Sequence, residues 1–203
     1  MDVLLPSCRL IDRLVYEYKF SGRVVYSISY LLGWLDDGAR QFTGFHKHAR
    51  AVDVLNKFGE EKIKEYYLFS FVRNPYDRLV SLYYYIRQSR THKNNQDLSN
   101  MSFSEFIDWY INQEPVKQID YLIEPSTGAL LVDFIGKYEN LAEDLKIIQN
   151  QTRINGGTLK HKKKSISRRS AELRDYYDDE SAEKVSKYFS DDFDLLGYQD
   201  ILK

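Results

Sequence analysis

The run Arg73-Asn74-Pro75-Tyr76-Asp77-Arg78-Leu79-Val80-Ser81 gathers residue types that can hold a phosphate-like anion. It follows Tyr66-Tyr67-Leu68-Phe69-Ser70-Phe71-Val72, a near-continuous apolar stretch of the kind that forms a strand covered on both faces. Arg73 therefore leaves the C-terminal end of a buried strand, where open α/β sheets place their ligands. Asn74 is a good N-cap and Pro75 suits the first helical position, so a helix begins at once. Its N-terminus brings N–H groups and partial positive charge to the same place. Arg73 adds a planar fork of donors matched to phosphate oxygens. Ser81 lies eight positions on, about two helical turns at 3.6 residues per turn, and its hydroxyl can reach an anion that Arg73 holds. The plainer alternative is an Arg73 paired with a nearby Asp and a Ser81 at the surface.

A second group of charges lies further along. Lys160, Lys162, Lys163, Lys164, Arg168 and Arg169 place six fixed cations within ten positions, after the flexible pair Gly156-Gly157. Such a run is a solvated loop, a cover over an anionic ligand, or a contact for nucleic acid or an acidic polysaccharide. Four histidines, His46, His48, His92 and His161, are candidates for proton transfer near neutral pH. His46 and His48 stand just before a helical stripe, whereas His92 sits in a polar stretch and reads as solvated.

The elements that must position these groups alternate between strand and helix. A β-prone run over 14–18 predicts a strand, followed by a turn-like stretch over 19–23 and an apolar helix over 24–34. A helix over 49–58 follows from the stripe Ala49, Val52, Leu55 and Phe58, ended by Gly59. Residues 66–88 read as strand, tight turn and helix, with Leu79, Leu82, Tyr83 and Ile86 on the buried face. Ser102 and Glu105 form a capping box for a helix through Gln113. A buried strand is expected over 130–135, then a helix carrying Leu141, Leu145 and Ile148, and a last helix over about 180–189. This alternation predicts an α/β fold, a central parallel sheet flanked by helices.

Composition narrows the class. At 203 residues the chain is expected to be one domain over 1–203, large enough to bury a core without staples. With 29 basic against 30 acidic residues, the net charge of -1 argues against a dedicated nucleic-acid binder. A single cysteine, Cys8, excludes an intramolecular disulfide and fits a reducing compartment. No apolar run reaches the ~18 residues of a membrane span. Asp2, Arg9, Asp12 and Arg13 interrupt the first residues, so no secretory signal is expected there. The expected location is the cytoplasm, or the Golgi lumen if an anchor is missing from a longer chain. The 17 Tyr and 11 Phe are unusual, and tyrosine with its polar tip suits surfaces and clefts.

The stretch from Phe69 to Tyr83 resembles the 3′-phosphate-binding element of sulfotransferases that use 3′-phosphoadenosine 5′-phosphosulfate (PAPS), most closely the carbohydrate-type sulfotransferase family 2. Asp133-Phe134-Ile135-Gly136-Lys137-Tyr138-Glu139-Asn140-Leu141 is similar to that family's second sheet strand and its Tyr-Glu-Asn/Asp-Leu signature. Lys160-His161, Ser165, Tyr176-Tyr177-Asp178-Asp179 and Leu196-Gly197-Tyr198 resemble its closing segment. The likeness spans about residues 46–198. It implies a P-loop-like three-layer fold, PAPS as co-substrate without a metal, and a hydroxyl-bearing acceptor of carbohydrate type. Arg73 and Ser81 would hold the 3′-phosphate. Lys162, Lys163, Lys164 and Arg168 would cover the nucleotide, whose roughly four negative charges need compensation. His48, followed by Ala49-Arg50-Ala51, matches the general base better than His46.

One departure stands out. The family opens with a strand, a Pro-Lys-Thr-Gly-Gly-Thr-Ser loop around the 5′-phosphosulfate, and a helix. The nearest stretch here is Tyr18-Lys19-Phe20-Ser21-Gly22-Arg23-Val24-Val25, in which Lys19 and Gly22 fit while Arg23 and Val24 replace Thr and Ser. Either Arg23 substitutes as the phosphosulfate cation with Lys19 as catalytic lysine, or the chain is an inactive relative that binds PAPS, adenosine 3′,5′-bisphosphate or polyanions. A nucleotide kinase is the weaker rival, since no Gly-x-x-x-x-Gly-Lys-Ser/Thr sequence is present.

Overall fold

A computed structural model of the chain describes residues 25–27, 49–88, 100–153 and 172–202. The described residues fall into two compact units, one within Met1–Val72 and Gln118–Lys162, the other within Arg73–Lys117 and Lys163–Lys203.

The first unit holds a small parallel sheet, so the chain is of mixed α/β type. Its strands are β1 (Val25–Ser27), β2 (Tyr67–Val72) and β3 (Phe134–Lys137), with β2 in the middle. Ser27 pairs with Phe69, and Phe71 with Gly136. Leu68 through Val72 are all buried, as the uninterrupted apolar run predicts for a central strand. Helices α1 (Ala51–Phe58) and α2 (Glu60–Ile63) lie between β1 and β2 along the chain. Gly59 joins them with φ of 78°, a left-handed conformation that glycine adopts without a Cβ clash. Helix α5 (Leu141–Thr152), after β3, packs Leu145 and Ile148 on Phe69 and Phe71. A Cβ at Gly136 would run into the Phe71 ring, so only glycine fits where β3 passes its neighbour.

Two expectations are corrected here. The helix over 24–34 is not formed at its start: Val25–Ser27 is a strand paired with β2. β-Branched and aromatic side chains favour the extended chain, and the open edge of β2 supplies the ladder. The strand over 14–18 lies outside the described residues. The strand expected over 130–135 begins only at Phe134, because Leu130 and Leu131 pair with the 122–123 segment instead. Asp133 starts the β2 contact: its N–H donates to the Leu68 carbonyl and its Oδ2 accepts from the Leu68 N–H, both at 2.7 Å.

The second unit is helical. It comprises α3 (Pro75–Gln88), α4 (Phe103–Ile111), α6 (Asp179–Tyr188) and α7 (Ser190–Leu195). Leu79, Tyr83 and Ile86 face inward as their spacing predicts, against Phe106, Ile107 and Val185. Much of the tyrosine excess is spent in this core. Tyr83 and Tyr177 are buried, and their hydroxyls donate to the carbonyls of Met101 (2.7 Å) and Tyr76 (2.9 Å). Their rings meet Phe103 edge-on at 5.3 and 4.9 Å, an arrangement that adds attraction beyond area burial. Among the described residues no helix is long and apolar enough to cross a membrane.

The expected capping box forms, and the structure adds a second cap at Asp178. Ser102 Oγ accepts from the Glu105 N–H, and Glu105 Oε2 accepts from the Ser102 N–H. At the head of α6, Asp178 accepts from the Ser181 N–H at 2.7 Å and from the Ser104 hydroxyl at 2.7 Å. These bonds, Ser181 first and then Ser104, hold its carboxyl down at about 2. A depressed carboxyl contributes stability above its unfolded value of about 3.9 and loses it as pH falls through the folded value. Thermal stability is expected to fall between about pH 4 and pH 2. Asp178→Asn keeps the cap without the titration, and its melting temperature should fall less over that window. An identical acid slope in both proteins would contradict this assignment.

Candidate functional site: the corner between β2 and α3

The chain passes from β2 to α3 through Arg73 and Asn74 alone. Asn74 Oδ1 accepts from the Tyr76 N–H at 3.0 Å, and its carbonyl accepts from the Arg78 N–H at 2.9 Å. Pro75 has no N–H to satisfy, so the helix starts as the Asn-Pro pair predicts.

Arg73 donates from both Nε and Nη2 to one oxygen of Asp77, each at 2.5 Å. The two side chains are 13% and 17% exposed, so the pair is largely shielded from water. This is the Asp pairing put forward above as the plainer reading of Arg73. A guanidinium held by a carboxylate can also carry an anion, since its five N–H donors point to more than one side. The carboxylate fixes the plane of the guanidinium at the point where the strand ends. Arg73, Asp77 and Ser81 follow one another at four-residue spacing, and Ser81 is half-buried one turn beyond Asp77.

Arg78 has a different role from Arg73, although the two bracket the same motif. Its Nη2 donates to the Tyr110 hydroxyl at 3.4 Å, and its Nη1 lies 3.9 Å from Asp192 Oδ2. The guanidinium carbon sits 5.6 Å from the Phe189 ring centroid. Asp192 is fully buried, so this arginine joins α3 to α4 and α7 in the interior.

The second motif also takes shape. Lys137, the last residue of β3, donates its N–H to Asp144 Oδ2 at 2.5 Å, and Tyr138–Asn140 forms a short 3-10 turn into α5. The remaining predicted site residues lie outside the described residues: Lys19, Gly22, Arg23, His46, His48, Lys162, Lys163, Lys164 and Arg168. Sequence reasoning did not name Asp77, although its four-residue spacing from Arg73 signals it. Nothing local signals Asp192 as the partner of Arg78.

Three comparisons bear on this corner. The model of a family described as "Sulfotransferase family" matches residues 35–199, which take in the corner, β3 and the closing helices. A protein of Archaeoglobus fulgidus, described as uncharacterized, is 35% identical over 92 residues, 45% of this chain and 72% of its own length. No solved structure matches. An arginine at the exit of the central parallel strand, an Asn-Pro helix start and a match over most of the length lead to one conclusion: the chain belongs to sulfotransferase family 2.

Proposed function

We propose that the protein moves the sulfuryl group of PAPS to a hydroxyl of an acceptor, with glycans as the first class to test. The acceptor oxygen attacks sulfur in line. A new S–O bond forms as the bond from sulfur to the bridging oxygen of the 5′-phosphate breaks, and adenosine 3′,5′-bisphosphate leaves. His48 takes the hydroxyl proton, with His46 as second candidate. Lys19, with Gly22 and Arg23, meets the charge that builds on the leaving phosphate. Arg73 and Ser81 hold the 3′-phosphate, and Lys162, Lys164 and Arg168 cover the nucleotide. The scheme uses no metal. In this reading 1–203 act as one P-loop-like domain, and the single Cys8 supports a cytoplasmic location.

The observation that carries the reading is Arg73, oriented by Asp77 where β2 gives way to α3. The test is sulfate transfer from radiolabelled PAPS to a glycan panel. Transfer is expected with the native chain and should fall by about 10²–10³-fold or more in His48→Ala, the scale of one lost catalytic group. Transfer at the native rate in that variant would remove His48 from the scheme.

A second reading is favoured by a specific feature. Arg23 and Val24 stand where hydroxyl donors are expected, and the chain is already extended at Val25. A valine offers no donor to a phosphate oxygen. Under this reading the protein binds adenosine 3′,5′-bisphosphate and transfers nothing. Calorimetry with that nucleotide, run beside the transfer assay, separates the two.

A further inference from the structure

Tyr76 lies between the proline that opens α3 and the carboxylate that holds Arg73, and none of it is exposed. Its polar atoms are all tied. The N–H donates to Asn74 Oδ1, and the carbonyl accepts from the Tyr177 hydroxyl at 2.9 Å. Its own hydroxyl donates to Asp200 Oδ1 at 2.7 Å, with the Ala182 carbonyl at 3.3 Å. Asp200 comes 124 residues later, beyond the last helix, and its other oxygen accepts from the Ser186 hydroxyl on α6. The Tyr76 ring is wedged against Tyr177 and Phe193, with centroids 5.0 and 5.1 Å away. Burial, and then the bond to Asp200, hold the phenol protonated far above its ordinary range. It is therefore a donor at neutral pH and well above it.

A phenol bonded to a carboxylate makes a stronger, more directional tie than one bonded to a carbonyl. The first turn of α3 cannot rotate or slide without breaking that tie and displacing the ring. Asp77 sits on this turn, one residue past Tyr76. We propose that Asp200 is a positioning residue for the anion-binding corner: through Tyr76 it fixes the first turn of α3, and with it the Asp77 carboxylate that orients Arg73. This rests on the reading of Arg73 as the ligand of a 3′-phosphate. Asp200 lies just past the residues that match the family, 35–199.

The test compares two nucleotides on the full chain. Calorimetry gives the Kd of adenosine 3′,5′-bisphosphate and of adenosine 5′-monophosphate, which lacks the 3′-phosphate. Asp200→Ala and Tyr76→Phe are each expected to weaken the bisphosphate about tenfold relative to the monophosphate, the scale on which a side chain supporting a ligand group acts. The double variant should be no weaker than either single one, because both remove the same tie. Asp200→Asn should lie closer to the native ratio than Asp200→Ala, since its amide oxygen still accepts from the phenol through a weaker bond. If Asp200→Ala does not fold, Tyr76→Phe carries the comparison, as its ring still packs. A purely structural role lowers the melting temperature and leaves the ratio of the two affinities unchanged, and that result overturns the proposal. A native chain that binds both nucleotides equally overturns the 3′-phosphate reading, and the proposal with it. A native chain that discriminates while the variants do too overturns the proposal alone.

Discussion

Arg73→Ala is expected to weaken adenosine 3′,5′-bisphosphate binding by about a hundredfold or more, the consequence of truncating one partner of a shielded, hydrogen-bonded charge pair. The expectation follows from geometry. Asp77 engages Nε and Nη2 of Arg73 and sets its plane, and both side chains are mostly shielded from solvent. Charge-assisted bonds to phosphate strengthen under such shielding. Arg73→Lys keeps the charge and loses the fork, so it should recover only part of the affinity. Asp77→Asn retains an acceptor for Arg73 and should cost less than losing the guanidinium. Lys146→Ala, in an exposed pair with Glu143, serves as the control for a general loss of positive charge. Calorimetry decides the matter: native affinity in Arg73→Ala would remove Arg73 from the nucleotide site.

The second large effect is on stability. Asp192 is fully buried, and the Arg78 guanidinium lies 3.9 Å from its carboxylate. Asp192→Ala leaves that cation in the interior without its carboxylate, and breaking a buried pair in this way costs about 3–5 kcal/mol. For a chain of this size that corresponds to a melting temperature lower by about 10 °C. The paired replacement Arg78→Met with Asp192→Leu removes both charges and should recover most of the loss. Urea unfolding of the single and double variants measures the difference. A single-variant cost below about 1 kcal/mol would place the pair in the weak class of surface bridges. Nucleotide affinity should follow the opposite pattern to that of Arg73, unchanged in the paired variant at temperatures where it is folded. The two arginines of one short motif would then be separated experimentally, one as ligand and one as internal strut.

Several elements were legible because their causes are local. The passage from β2 to α3 is encoded by an apolar run, an Asn-Pro pair and a helical stripe within about twenty residues, and no distant contact competes with those signals. The capping box of Ser102 and Glu105 is equally local. The failures have the opposite character. Val25–Ser27 forms a strand because an open edge of β2 is there to receive it, and no periodicity within 24–34 carries that information. The start of β3 shifts to Phe134 because Leu130 and Leu131 find partners at 122–123 first. The abundant tyrosines suggested surfaces and clefts, yet Tyr76, Tyr83, Tyr176 and Tyr177 are core residues, with the hydroxyls of Tyr76, Tyr83 and Tyr177 satisfied by carbonyls or by Asp200.

From the order of residues alone came the class of the chain and the corner from β2 to α3, since residue type and short spacing suffice for each. Only the tertiary structure decided which charge answers which: Asp77 for Arg73, Asp192 for Arg78, and Asp200 for the phenol of Tyr76. The last two pairs join residues more than a hundred positions apart, and packing chooses such partners where burial makes an unanswered polar group costly.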